Sequence, residues 1–283
     1  LGLFLARRAP LSLSYRVASL LGDLVYLGWP HGRANAIDNM RHVLGRGASQ
    51  AEVRRTARNS FRNYFKVLVD FARLWQLDRV TLTRALRGKG WENLDQALAG
   101  GKGVLLVGSH LGNWDLAGVA LALNNYPVHA VADTQGFGSP RVNRAVLASR
   151  EAFGIRIIPV EAPLRRIYRA LAANEAVGIV ADRPPKDSRG VPVTFFGDET
   201  RWPTGVASIA LRTGAAIVTG YLVRGPDGGF DGEMLAPLAF EPKGDKDEDL
   251  RRLTQEIVAV QERLIQQFPD QWYMFRRMWP NGR

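Results

Sequence analysis

Residues 103–123 read GVLLVGSHLGNWDLAGVALAL, and this stretch decides the fold. Its first part, up to Gly108, is a short apolar run that predicts a buried β-strand. Its second part, from Trp114 onward, is long enough and apolar enough to predict a helix. A buried strand followed by a short turn and a helix is the repeating unit of α/β proteins, so the stretch predicts one such unit.

The same alternation continues toward the carboxyl terminus. Further β-rich runs stand at 128–133, 155–160, 176–182 and 216–223, and helical runs separate most of them. Strands alternating with helices indicate a parallel sheet covered by helices. We therefore predict an α/β fold whose largely parallel mixed sheet is flanked by helices, and we assign residues 91–283 to this core.

Residues 1–90 differ from the core in charge. They hold sixteen of the 38 Lys and Arg residues but only five of the 27 Asp and Glu residues, so the formal charge of +11 arises there. We expect this part to be a basic helical region that associates with a membrane. The charge alone leaves three acidic partners open, which are nucleic acid, anionic lipid headgroups and an acidic carrier protein.

Two amphipathic helices are predicted in this region. One covers 11–29, in a stretch where Arg16 and Asp23 interrupt the apolar run that a membrane span would need. The second runs from Ser49 to about Trp75, with Ser49 and Glu52 forming a capping box. Each helix is explained either by contact with a membrane surface or by packing on the core with a solvated charged face.

Composition excludes several kinds of chemistry. The chain has no cysteine, which rules out disulfides, cysteine nucleophiles and thiolate metal sites. Its four histidines stand far apart and outside any ligand pattern, so we expect no metal. The motifs for a nucleotide phosphate loop, a dinucleotide site and a serine nucleophile elbow are also missing.

His110 and Asp115 are the residues of the opening stretch that carry chemistry. His110 ends the predicted strand and Asp115 falls in the first turn of the next helix, where ligands bind in open α/β sheets. With Gly112 turning the backbone, the carboxylate can hold one imidazole nitrogen and leave the other to accept a proton. Such a pair suits direct attack by an external alcohol. The alternative is that both residues only cap the helix.

The segment SHLGNWD at 109–115 resembles the H-x4-D/E motif of the glycerolipid acyltransferase superfamily. Three later segments, at 140–155, 180–218 and 270–280, resemble the branch that contains bacterial lipid A late acyltransferases and phosphatidylinositol mannoside acyltransferases. The closing block DQWYMFRRMWP departs from the family pattern at Phe275, where the family has histidine, and we interpret it as structural.

The resemblance implies an O-acyltransferase in which His110 is the general base on the acceptor hydroxyl and Asp115 holds His110. The residues that it implies for substrate binding are Asn113, Arg150, Asp182, Arg183 and Glu199. Backbone N–H groups near Gly112 and Asn113, or an arginine, are the candidate donors to the oxyanion. No cofactor is expected, because an acyl-CoA or an acylated acyl carrier protein is the co-substrate.

The expected partners are an anionic membrane surface, the thioester donor and a glycolipid acceptor. If the donor is an acylated acyl carrier protein, that protein is a further partner. The expected location is the cytoplasmic face of the bacterial inner membrane. Two other functions remain open, which are a non-catalytic lipid-binding relative and a basic nucleic-acid-binding protein. Because no nucleic-acid-binding motif is present, we expect no nucleic-acid partner.

Overall fold

The computed structural model describes residues 9–73, 79–135, 140–184 and 190–279. The helices are α1 Leu11–Gly28, α2 Pro30–Leu44, α3 Gln50–Arg73, α4 Arg79–Ala85, α5 Trp91–Ala99, α6 Trp114–Leu123, α7 Pro140–Ala152, α8 Arg165–Ala172, α9 Gly205–Thr213 and α10 Lys246–Gln267. The strands are β1 Leu86–Lys89, β2 Val104–Gly108, β3 Val128–Ala132, β4 Arg156–Pro159, β5 Ala176–Val180, β6 Val191–Phe195, β7 Asp198–Trp202, β8 Ala216–Arg224 and β9 Phe230–Met234.

Within the described ranges, seven strands form one sheet in the order β1-β9-β8-β2-β5-β3-β4. All neighbouring strands of this sheet run parallel except β8 and β9. Strands β6 and β7 form a separate antiparallel hairpin. The predicted α/β class, with a largely parallel mixed sheet flanked by helices, is confirmed. Because β2 lies between β8 and β5, the segment after β2 leaves from the middle of the sheet's carboxyl edge.

Each face of the sheet is buried under a different set of helices, because successive residues of a strand point to opposite faces. Leu105 of β2 packs in a core with residues of α8, α9 and α10. The next residue, Leu106, packs against a second core that holds residues of α4, α5 and α6. This arrangement explains why the strands read as continuous apolar runs rather than as alternating ones.

Helix α1 packs closely along α3. A Cβ atom added at Gly22 would lie 2.7 Å from the Cα of Arg62, so the two backbones approach within a distance that only glycine permits. Beside this contact, Asp23 accepts hydrogen bonds from Arg58 and Arg62 at 2.6–2.8 Å. These bonds hold the pKa of Asp23 well below its ordinary value. Two arginines of the predicted basic face therefore stabilise the packing of the helices.

The opposite face of α1 is apolar and exposed. Its side chains are between 43 and 63% exposed and comprise Leu11, Leu13, Val17, Leu20, Leu21, Leu24 and Leu27. We call this set the apolar face of α1. None of the helices in the described part of the chain has the length and hydropathy needed to cross a membrane. Packing on another part of the protein, one of the two alternatives left by the sequence, is therefore found for one side of α1, and contact of the exposed side with a membrane stays a prediction.

A third core joins the two ends of the chain. It contains residues of α1, α2 and α3, the β6–β7 hairpin, α10 and the segment 272–279. Asn39 of α2 donates hydrogen bonds of 2.8 Å to the carbonyl oxygens of Met274 and Arg276. Strand β1 also pairs with β9, so the expected N-terminal helical region contributes an edge strand to the sheet. The carboxyl-terminal segment is held against the N-terminal helices by these contacts.

The predicted helix limits agree with the structure where it describes them. Helix α3 begins at Gln50, and the Ser49 hydroxyl accepts the Glu52 N–H at 3.2 Å, so the predicted cap is confirmed. The expected end of this helix at Trp75 lies outside the described residues, as do residues 1–8. Helix α10 starts at Lys246, because the Asp245 side chain caps it by accepting the N–H groups of Asp247 and Glu248.

We expect Gly22→Ala to lower the free energy of unfolding by about 1–3 kcal/mol, because the new Cβ must push α1 away from α3. Gly28→Ala is the matched control, since no atom lies within 4 Å of a Cβ at the end of the same helix. Alanine favours a helix, so the control should be neutral or stabilising by up to about 1 kcal/mol. Urea unfolding of both variants under identical conditions measures their free energies of unfolding. Equal stability of the two variants would contradict the close packing at Gly22.

Candidate active site

The turn between β2 and α6 is pinned on both sides by backbone hydrogen bonds. Gly112 has φ +62°, and a Cβ there would lie 2.0 Å from the carbonyl oxygen of Leu222. Its N–H donates to Gln271 O at 2.9 Å, and the N–H of Tyr273 donates to His110 O at 2.9 Å. The predicted turn at Gly112 is confirmed. The structure adds that strand β8 and the carboxyl-terminal segment hold the turn in place.

His110 is held by Asp182. The imidazole Nδ1 lies 2.5 Å from Asp182 Oδ1, and the His110 N–H donates to Asp182 Oδ2 at 2.8 Å. The parallel register pairs Gly108 with Val180, so the two partners each stand two residues beyond this pair on neighbouring strands. The expected pairing of His110 with Asp115 is therefore wrong. The register of two parallel strands brings together residues 72 positions apart.

Asp182 is a buried carboxylate with three N–H groups directed at it. It is fully buried, and the indole Nε1 of Trp272 donates to its Oδ2 at 2.8 Å. Burial alone would raise the pKa of Asp182, but the charge of His110 and the hydrogen bonds from His110 and Trp272 lower it below its ordinary value. Because an ionised carboxylate only accepts hydrogen bonds, His110 donates from Nδ1, and Nε2 is left for chemistry.

Asp115 and Arg150 form a second pair beside His110. Arg150 Nε donates to Asp115 Oδ1 at 2.7 Å, and Arg150 is only 7% exposed. Asp115 lies in the first turn of α6, as predicted, but its carboxylate points toward α7. Arg150, expected to bind substrate, borders the cavity described below while it ties α7 to α6. The pair therefore fixes the distance between these two helices.

Asn113 is buried and is not among the residues that line the cavity described below. Its side chain is 2% exposed, its Oδ1 accepts the N–H of Leu116 at 3.1 Å, and its Nδ2 donates to Asp70 at 3.2 Å. Its backbone N–H donates to Leu222 O at 2.7 Å. The structure thus gives the side chain of Asn113 a capping role in α6, and its predicted contact with substrate stays a prediction. The N–H groups of Gly112 and Asn113 are also both occupied, which leaves an arginine as the predicted oxyanion donor.

A cavity of about 1200 Å³ opens beside His110 and extends under α6. Its polar end is lined by His110, Asp115, Arg150 and Arg183. Its apolar part lies between α6 and one face of the sheet and is lined by residues that include Leu106, Ala117, Gly118, Leu121, Gly178 and Val218. Leu116 and Val119 of the same helix do not line this cavity and are packed in the core.

Arg183 and Arg276 stand at the cavity wall. Burial lowers the pKa of Arg183, and repulsion from Arg276 adds to this effect. Since a guanidinium keeps its charge in proteins, two such groups close together form a strongly anion-attracting spot. Arg183 was expected from the sequence. Arg276 was missed, although the aromatic and basic composition of 271–279 was a signal for it.

Glu199 lies apart from this site. It sits on β7, where its side chain is exposed, and it is not among the residues that line the cavity. The β6–β7 hairpin turns this position outward, so the structure does not bring Glu199 together with the other predicted substrate-binding residues. Among the described residues, no three His, Asp or Glu side chains are grouped as metal ligands would be.

Sequence reasoning also missed Asp70, Arg224 and the role of Trp272. Asp70 stands among apolar residues in the sequence VLVDFA, and a carboxylate in such a run is a signal for a buried partner. Trp272 lies in the closing block, which was taken as structural. In the structure its indole holds the carboxylate that holds His110.

Comparison with known proteins assigns the family. Residues 1–281 match the family model described as bacterial lipid A biosynthesis acyltransferase. The chain belongs to this family. The expected membership and the expected acyltransferase class are both confirmed at this level.

Individual relatives come from both branches that the sequence resembles. A phosphatidylinositol mannoside acyltransferase of Mycolicibacterium smegmatis is 29% identical over 75% of this chain and 70% of its own length. A protein of the same name from Mycobacterium tuberculosis is 31% identical over 72% of this chain and 61% of its own length. A lipid A biosynthesis lauroyltransferase of Escherichia coli is 24% identical over 97% of this chain and 88% of its own length.

We expect Gly112→Ala to lower the free energy of unfolding by about 3–5 kcal/mol, since it combines a left-handed backbone with displacement of Leu222 O. Gly101→Ala is the control, because Gly101 also has a positive φ, +70°, but no atom lies within 4 Å of its added Cβ. The control should cost about 1–2 kcal/mol. Urea unfolding measures both, and a Gly112 variant no less stable than the Gly101 variant would contradict the tight turn.

Proposed function

We propose that the protein transfers a fatty acyl group from a thioester donor to a hydroxyl of a membrane glycolipid. The observation that carries this proposal is the His110–Asp182 pair at the polar end of a large apolar cavity. Among the described residues, the His110 imidazole is hydrogen-bonded to Asp182 and to no hydroxyl group. A base placed in this way is suited to activate an external alcohol, and an apolar cavity next to it is suited to hold an acyl chain.

In the proposed reaction, His110 Nε2 removes the proton of the acceptor hydroxyl while its oxygen attacks the thioester carbonyl carbon. The carbonyl π electrons move onto oxygen, and Arg183 at the cavity wall is the donor that we assign to this oxyanion. When the carbonyl re-forms, the carbon–sulfur bond breaks and the thiolate takes the proton from His110. Asp182 stabilises the imidazolium that exists between these two steps.

Asp115 and Arg150 support this reaction by position. Their ion pair is almost fully buried and joins the first turn of α6 to α7. Trp114, which precedes Asp115, has its ring centre 5.1 Å from that of His110. A buried pair of this kind is costly to break, because each partner would be left as an uncompensated charge. We assign the pair to holding the mouth of the cavity in shape.

The apolar part of the cavity extends from His110 along the strands of the sheet. Gly178 of β5 pairs with Leu106, which precedes His110 by four residues. At about 3.3 Å per residue, the cavity therefore reaches about 13 Å below His110 along the strands. Glycine at position 178 leaves the floor open, since the nearest atom to an added Cβ would be a backbone oxygen at 3.5 Å.

The acceptor and the donor are proposed by class. The names of the relatives indicate a phosphatidylinositol mannoside or a lipid A precursor as the acceptor. Both donors, acyl-CoA and acylated acyl carrier protein, carry phosphate, and so do membrane lipids. Arg276 is the group that we expect to bind phosphate, because a phosphate there would offset the repulsion between Arg276 and Arg183. No cofactor beyond the donor is required.

We place the reaction at the cytoplasmic surface of the inner membrane. The apolar face of α1 presents large exposed side chains, and the N-terminal third carries the whole net positive charge of the chain, which together suit an anionic bilayer. Trp29, at the end of α1, is 44% exposed and also lines the cavity. A lipid acceptor in the bilayer would thus meet the cavity close to the membrane surface.

The first test is acyl transfer from radiolabelled palmitoyl-CoA or palmitoyl-acyl carrier protein to phosphatidylinositol mannoside and lipid A precursors in mixed micelles. We expect His110→Ala and Asp182→Asn each to lower kcat by about 10²–10⁴-fold, because both remove the general base function. His129→Ala is the matched control, since His129 also pairs with a carboxylate, Glu175, at 2.6 Å, and its register partner Val177 packs in the core on the α8–α10 face of the sheet.

Wild-type protein that transfers nothing to any acceptor, yet binds vesicles, would identify a non-catalytic lipid-binding relative. Binding to duplex DNA in preference to anionic vesicles would support the nucleic-acid alternative. Nitrogen NMR of His110 tests the pairing independently of turnover. The Nδ1–H signal should change in Asp182→Asn and persist in Asp115→Asn.

A graded series at Gly178 tests the acyl-binding part of the cavity. We expect the preferred donor to become shorter from Ala to Val to Leu at this position, because each side chain fills more of the cavity floor. For Gly178→Leu, kcat/KM with palmitoyl donor should fall about tenfold or more, whereas decanoyl donor should change little. An equal loss for all chain lengths would assign the effect to misfolding or to another site.

A further inference from the structure

Asp70 of α3 is a buried carboxylate outside the His110–Asp182 pair. It is 7% exposed and is contacted by three donors from three different parts of the chain. Arg224 at the end of β8 donates to its Oδ2, Tyr15 of α1 donates to its Oδ1 at 2.5 Å, and Asn113 donates to its Oδ2 at 3.2 Å. The carboxylate therefore joins the N-terminal helices to the sheet and to the turn after β2.

Two routes lead from Asp70 to His110. Through its side chain, Asn113 connects Asp70 to the first turn of α6, because the same amide accepts the N–H of Leu116. Through its backbone, Arg224 exchanges hydrogen bonds of 2.8 and 3.0 Å with the amide of Gln271, whose carbonyl oxygen accepts the N–H of Gly112. Any movement of the Asp70–Arg224 pair would thus displace both ends of the turn that carries His110.

Tyr15 is the link between this pair and the membrane-facing helix. Its hydroxyl donates to Asp70 and accepts from Arg224 Nη1 at 2.8 Å, and the Arg224 guanidinium lies 4.5 Å from its ring centre. Burial, together with the charge of Asp70, raises the pKa of Tyr15, so the hydroxyl stays protonated. Tyr15 lies in the same helix as the exposed residues Leu13 and Val17. The position of the Tyr15 hydroxyl relative to Asp70 therefore depends on the position of α1.

We propose that Tyr15 is a positioning residue that couples the seating of α1 on an anionic membrane surface to the geometry of the His110 turn. The inference rests on the proposed membrane-surface acyl transfer and adds to it a dependence of activity on the membrane-bound position of α1. The apolar face of α1 would rest on the lipid, and the Tyr15 hydroxyl would hold Asp70, and through it Asn113, in the arrangement described above.

Tyr15→Phe is the variant of choice, because it removes one oxygen atom and keeps the ring that stacks with Arg224. Tyr126→Phe is its matched control, since the Tyr126 hydroxyl donates to Asp95 at 2.7 Å outside this set of contacts. The probe is a vesicle of phosphatidylglycerol and phosphatidylcholine, compared with a vesicle of phosphatidylcholine alone. Hydrogen exchange is followed in residues 11–28 and in residues 110–118.

In the wild type and in Tyr126→Phe, anionic vesicles should slow exchange in both segments, by about fivefold in 110–118. In Tyr15→Phe, they should protect 11–28 but leave exchange in 110–118 unchanged. The second measurement is kinetic. The ratio of kcat on acceptor in a bilayer to kcat on acceptor dispersed in detergent should fall toward one in Tyr15→Phe, with the KM for the donor unchanged.

Protection of 110–118 that persists in Tyr15→Phe would overturn the coupling. So would a wild type in which vesicles protect 11–28 without affecting 110–118. The exchange measurement needs no turnover, so it separates the two proposals. If the wild type transferred no acyl group but showed Tyr15-dependent protection, the proposed reaction would fall and the coupling would stand.

Discussion

The parallel pairing of β2 with β5 is the constraint on which the site depends. It places His110 and Asp182 at equivalent positions beyond the ends of two neighbouring strands at the centre of the sheet. The carboxylate is fully buried there, and its three N–H partners offset the cost of removing a charge from water. Because one of these partners is Trp272, the carboxyl-terminal segment must be docked before the pair is complete.

Buried carboxylates recur around the turn that carries His110. Asp182 holds the imidazole, Asp115 holds Arg150, and Asp70 holds Arg224 together with Asn113. Each is paired with a basic group from a distant part of the chain. Such pairs contribute little net stability compared with apolar packing, but breaking one is costly, so they define a single arrangement of the groups they join. The turn between β2 and α6 is consequently held from the sheet, from α7 and from the N-terminal helices.

Part of the positive charge of the N-terminal third is used in packing, and the packing leaves an apolar face exposed. Arg58 and Arg62 bind Asp23 and hold α1 against α3, which explains part of the basic face as packing. The close approach at Gly22 turns the opposite side of α1 outward, and seven large apolar side chains of the described helix are exposed there. A helix packed in this way can serve both as part of the fold and as a surface for lipid.

The sequence by itself determined the α/β class, the strand and turn around Gly112, the cap at Ser49 and the place of His110 just after a strand. These features depend on local apolar runs, on backbone conformation and on the resemblance of a short motif. The partner of His110 depended on which strands are neighbours, because residues 110 and 182 meet only through the parallel register. The burial of Asn113, the exposure of Glu199 and the contacts of Asp70 likewise result from packing between distant segments, and no local pattern encodes such contacts.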